Sequence, residues 1–153
     1  MFRRKLTQDD VLAFIDAVRR MTLGDAEAGT DVDRRIETIA SSGLQGLEAV
    51  IDALSSFGAR LQRQVPRDEL EPMVIRLINT SPESKSPAAV SAINELGRAL
   101  FLGDGDLPIP MLLAIQGRDS RLSQQERSGN LLNLTIAAGW IAAELPPNIS
   151  LTA

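Results

Sequence analysis

The side chains best placed for chemistry in this chain of 153 residues are Asp104 and Asp106, in the run Gly103-Asp104-Gly105-Asp106. Two carboxylates on a glycine loop can offer oxygens to a hard cation. The run lacks the spacing of an EF-hand and its terminal glutamate. The plainer expectation is therefore a helix end, with Gly103 left-handed and the aspartates solvating the turn. Glu48 and Asp52 share a helix face at i, i+4, as bundle metal ligands do, but such sites also use Glu-x-x-His and the chain has no histidine. These two, with Glu95 and Glu144, are expected to be surface carboxylates. Ser84-Lys85-Ser86 sets hydroxyls beside an amine. A catalytic lysine must be desolvated to lose its proton, and this polar stretch leaves Lys85 charged.

Three absences narrow the chemistry further: the chain has no histidine, no cysteine and no tyrosine. Histidine is the commonest acid–base group near neutral pH, and zinc sites are built mainly from histidine and cysteine. Catalysis would have to rest on carboxylates, hydroxyls or the two lysines, Lys5 and Lys85. The expectation is a protein with no catalytic residues, no metal and no cofactor.

Arginine is more abundant, with fourteen residues against two lysines, as GC-rich codon usage produces. Six of the fourteen form the doublets Arg3-Arg4, Arg19-Arg20 and Arg34-Arg35. If the first two helices lie side by side, the doublets make a strip able to grip phosphate or an acidic partner. Asp9, Asp10, Asp16, Asp31 and Asp33 lie among them, which favours a solvated face of mixed charge. Asp104, Asp106, Arg19, Arg20, Arg34 and Arg35 are the candidate partner-binding residues. The acceptor patterns at Asn79, Asn133 and Asn148 are chance matches unless the chain is secreted.

Apolar residues recur near a period of 3.6, with no sustained alternation, which predicts helices throughout. Thr7 should cap a first helix with the stripe Val11, Phe14, Ile15, Val18 and Met21. Gly24 to Gly29 reads as a loop, after which Thr30 or Asp31 caps a short helix to Ala40 with Val32, Ile36 and Ile39 on one face. Ser42 and Gln45 have capping-box spacing and open a long helix to Arg63. Its stripe runs through Leu44, Leu47, Val50 or Ile51, Leu54, Phe57 and Leu61. Val65-Pro66 stops it and Pro66 starts the next, in which Pro72 suits only the early turn. Ser86 with Pro87 opens a helix that turns Val90, Ile93, Leu96, Leu100 and Phe101 inward. A short helix over Met111 to Gln116 follows. Ser123 and Glu126 then cap the most apolar helix, which carries Trp140 as a core residue and ends before Pro146. Gly129 and Gly139 would admit a close neighbour.

These readings assemble into an all-α fold, a compact single-domain bundle of six or seven mostly antiparallel helices over 1–153. Residues 146–153 form an apolar tail that docks on its own domain or on a second copy, making a homodimer. A five-residue pattern recurs at positions 14, 50 and 92, so HEAT- or armadillo-like hairpins are the alternative arrangement. Apolar residues at 44% with aromatics at only 3% suit helix packing. A net charge of −4 lacks the basic footprint of a nucleic-acid binder. No apolar run reaches a membrane span and no signal peptide is visible, so a cytoplasmic location is expected.

A small acidic helical chain without the usual catalytic residue types is expected to act by its surface. The expectation is a protein–protein interaction module of the bacterial immunity, antitoxin, chaperone or phage-inhibitor type, meeting a protein partner such as a toxin or effector. That expectation rests on size and charge, not on a motif. The alternatives are a bundle binding a small molecule or lipid between the last helix and the Val90 to Phe101 stripe, and a carboxylate–Mg²⁺ enzyme.

Overall fold

In a computed structural model of the chain, the predicted apolar stripes converge on one long helix near the C-terminus. The structure describes residues 6–41, 43–80, 86–105 and 123–146, together with positions 108, 111, 118 and 121. Among these residues there are six α-helices and no strand. They are α1 (Gln8–Thr22), α2 (Ala28–Ala40), α3 (Gly43–Gln64), α4 (Arg67–Ile78), α5 (Pro87–Gly97) and α6 (Gln124–Glu144), and a π-helical turn, Arg98–Leu102, continues α5. The short helix expected over Met111 to Gln116, the Ser42–Gln45 pair, Lys85 and the docking of the 146–153 tail lie outside the described residues.

The helix starts follow local chemistry. Thr7 Oγ1 accepts from the Asp10 N–H at 3.2 Å while the Asp10 carboxylate accepts from the Thr7 N–H at 2.9 Å. Ser123 and Glu126 make the same reciprocal pair at the start of α6, at 3.0 and 3.2 Å. Ser86 Oγ caps α5, with Pro87 at its first position. Removing one such cap costs about 1 kcal/mol. Thr7→Ala and Ser123→Ala should each lower stability by about that amount in urea melts, and a loss near zero would show that these caps hold little.

α2 departs from expectation. It begins at Ala28, with Glu27 at the cap position making no side-chain bond, so Thr30 and Asp31 lie inside its first turns. Asp31 is not a cap because its carboxylate is taken by arginines. Pro72 also departs: it sits six residues into α4, past the first turn, where it deprives the Asp68 carbonyl of its ladder partner.

α6 packs against α1, α3, α4 and α5 and forms the centre of the bundle. Leu131, Leu134, Ala137, Ala138, Ile141 and Ala142 are buried along it. Asn130 and Thr135 are buried with them, Asn130 Nδ2 donating to the Ala89 carbonyl and Thr135 Oγ1 to that of Leu131. Gly139 lets α1 approach closely, since a Cβ there would lie 2.4 Å from Val18 Cβ, whereas Gly129 faces open space. The first and last described helices thus pack on one another, which closes the fold. Stacked hairpins would instead touch only their neighbours in sequence, so the arrangement is the compact bundle.

The main core gathers Val11, Leu12, Ile15, Val50, Leu54, Phe57, Leu61, Leu70, Val74, Ile93, Leu96, Phe101, Leu134 and Ile141. The π-turn widens the end of α5 so that Leu100, Phe101 and Leu102 are all buried in succession. Two stripe positions are corrected. Val90 is 39% exposed because α5 buries Ala89, Ala92, Ile93 and Leu96, a face that Val90 overshoots, and Met21 at the end of α1 is 40% exposed. Trp140 is half-buried, resting on the edge of the core rather than inside it.

Candidate functional site

The arginine doublets of α1 and α2 do come together, but around carboxylates. Asp31, four-fifths buried, accepts from Arg35 Nε at 3.1 Å, from Arg34, and across the helix pair from Arg20 Nη2 at 3.4 Å. Arg20 also pairs with Asp16 at 3.0 Å on its own helix and with Asp25 at 3.8 Å in the turn. Three guanidinium groups thus meet three carboxylates, and the strip is a balanced network rather than a phosphate grip. Arg19 points elsewhere: its Nε donates to the Ala142 carbonyl at 3.4 Å, closing the C-terminal end of α6.

The glycine–aspartate run shows the same logic. Gly103 is left-handed, with φ 72°, and ends the π-turn as its composition implies. Asp104 meets Arg67 Nη2 at 2.8 Å and Arg98 Nη1 at 3.5 Å. Glu71 meets the same two arginines at 3.1 and 3.7 Å. The four side chains close a ring that ties α4 to the end of α5, and Arg67 is held more firmly protonated by Asp104 first and Glu71 second. Asp104 is therefore already neutralised by two cations. Asp106 lies outside the described residues. Among the described residues no cluster of three or more carboxylates is arranged to hold a metal ion.

Glu126 joins two helix starts. Its carboxylate accepts from Ser86 Oγ while it also caps Ser123, so α5 and α6 begin from one shared hydrogen-bonded junction. The Ser86 hydroxyl, then the Ser123 N–H, holds this carboxyl below the ordinary glutamate range. The Arg34 guanidinium, seconded by Arg35, holds Asp31 below the aspartate range against the opposing effect of its burial. Carboxyls lowered on folding stabilise fully above their unfolded pKa, and that stabilisation is lost as pH falls through the lower folded value. Stability should be flat from pH 8 to about 5 and fall below about pH 4. Without histidine no side chain titrates ordinarily in the upper range. Urea melts at each pH read this directly, and a fall between pH 8 and 6 would contradict it.

Of these partnerships the sequence marks the Ser123–Glu126 capping pair, and the ion pairs only by their spacing. The i, i+3 and i, i+4 spacings of Asp31–Arg34, Asp31–Arg35 and Arg67–Glu71 were the available signal. The cross-helix pairs Arg20–Asp31 and Arg67–Asp104 have no sequence signal. Nor did the sequence point to the exposed end of the α1–α2 hairpin. There Leu23 is 59% exposed, Met21 is exposed near it and Glu27 faces solvent, and Asp33 and Glu37 are exposed further along α2. Among the described residues no ion pair reaches these three carboxylates. Asp33 and Glu37 share one face of α2 at i, i+4.

Where α5 meets α6 the described side chains pack tightly. Ile93 and Leu96 are 1% exposed and Leu134 is fully buried, and a Cβ on Gly97 would lie 2.9 Å from Ile78 Cδ1 and 3.2 Å from Leu134 Cδ2. No described helix is long and apolar enough to cross a membrane. Comparison with protein-family models, with curated proteins and with solved structures found no match to this chain.

Proposed function

We propose that this protein is a non-catalytic interaction module that meets a protein partner through the α1–α2 turn and the exposed face of α2. The observation that carries this reading is the pairing of free acid with free apolar surface. Glu27 in the turn and Asp33 and Glu37 along α2 are exposed and in no ion pair among the described residues, Leu23 and Met21 are exposed at the same turn, and the neighbouring arginines Arg20, Arg34 and Arg35 are paired with Asp16, Asp25 and Asp31. An acidic rim steers toward a basic partner, and an exposed leucine and methionine supply area to bury on contact. Proteins of the immunity, antitoxin, chaperone and phage-inhibitor type work in this way, and a basic toxin or effector is the partner this surface suits.

The test is capture on the immobilised chain from lysate of its native cells, read by mass spectrometry, beside thermal melts with and without Mg²⁺ or Mn²⁺. The expected result is one dominant basic protein and a melting temperature indifferent to the cation. Capture of nothing, with a cation raising the melting temperature by many degrees, would replace this reading with that of a metal-dependent protein.

A further inference from the structure

We infer that α2 is a strap that opens as a unit ahead of the rest of the bundle, with the Arg20–Asp31 pair as its latch. Three independent features of the packing point to it, and none depends on the partner proposed above. First, the apolar contacts under α2 form a core of their own. Phe14, Ala17 and Val18 on one face of α1 meet Val32 in a cluster of buried residues distinct from the main core, edged by the half-buried Ile36, Ile39, Leu132, Ile136 and Trp140, of which Ile39 and Trp140 also touch the main core. Second, α2 contributes little to hold itself there. Of its described side chains only Ala28 and Val32 are buried, against six on α1, and it packs mainly on α1. Third, its start, like that of α4, lacks the side-chain cap that α1, α5 and α6 each have.

What remains is polar. Arg20 reaches from α1 to Asp31 on α2 and to Asp25 in the connecting turn, so one guanidinium clips the start of the strap to the helix beneath it. Elements with few buried apolar contacts open at lower free energy than the core, as cooperative units. Opening of α2 would uncover the side of the Phe14–Ala17 cluster that meets Val32, while Val18 stays against Gly139 of α6 and the main core stays packed on the other side of α1.

Hydrogen exchange by mass spectrometry on the full chain at neutral pH tests this. The α2 amides should exchange at a common rate, at least about tenfold faster than those of α6. Asp31→Asn should speed α2 by about another tenfold and leave α3 to α6 unchanged, since it removes hydrogen bonds made to a charged group. Arg20→Ala, which spares the partners of Asp31 within α2, should do the same, and Asp16→Asn, which leaves Arg20 on Asp31, should not. Equal rates for α2 and α6, a uniform acceleration of every helix by Asp31→Asn, or no effect of Arg20→Ala would each overturn the inference.

Discussion

Gly58→Ala should destabilise the protein by about 2–4 kcal/mol, although it replaces a poor helix former with the best one. A Cβ on Gly58 would lie 1.8 Å from the Leu100 carbonyl oxygen, 2.8 Å from its carbon and 3.3 Å from Phe101 Cα. These are backbone atoms of the π-turn and cannot rotate aside. α3 must move off the turn, and the movement strains the Phe57–Phe101 contact beside it. Exchanging glycine for alanine inside a helix gains only about 1 kcal/mol, so the overlap decides the sign. A melting temperature lower by roughly 5–15 °C is expected for a chain of this size. Gly129→Ala is the matched control, since nothing lies within 4 Å of a Cβ there. It should stabilise by about 0.5–1 kcal/mol. Opposite signs for one chemical change, read in parallel melts, would tie the effect to the close approach of α3 and the π-turn.

Phe57→Ala should cost about 3–5 kcal/mol, a large share of the roughly 5–15 kcal/mol typical of a domain. The ring is fully buried and meets Phe101 edge to face, with centroids 6.0 Å apart and planes at 80°. With aromatics at 3% of the chain, few other large side chains can relax into the space. Phe101→Ala should cost a similar amount, and the double variant less than the sum, because the edge-to-face contact is lost only once. Strict additivity in urea melts would show that the two rings hold the core independently.

The helices themselves were legible in the chain because each rests on local rules. The caps at Thr7, Ser86 and Ser123 and the stripes of α1 and α3 need only nearest turns to be read. What was not legible depends on distance in sequence. Val90 and Met21 fit their stripes yet are exposed, because each lies at the edge of its helix's buried face, where packing among the described residues leaves it only partly covered. Asp31 looked like a cap, and only the arrival of Arg20 from α1 shows it to be a tie between helices. The π-turn has no composition signal, and its need for Gly58 appears only where α3 crosses it. The mixed charge around the arginine doublets was legible as a solvated face, but not which charges pair: Arg20, Arg34, Arg35 and Asp104 are in ion pairs, while Glu27, Asp33 and Glu37 are exposed outside them among the described residues.

That division gives the surface reading its sharpest consequence. Substituting the paired charges should disturb stability, and substituting the unpaired ones should disturb only recognition. Asp33 and Glu37 are exposed and tied to nothing in the ion-pair networks, so reversing them should leave the melting temperature within a degree or two.

The decisive measurement is the affinity of the captured partner for the intact chain and for the Asp33→Lys, Glu37→Lys double variant, by titration calorimetry at physiological salt. The account predicts at least about a tenfold loss of affinity with an unchanged fold, because like charge facing a basic surface repels where opposite charge attracted. Undiminished affinity in a folded double variant would contradict it and place the working surface elsewhere on the bundle.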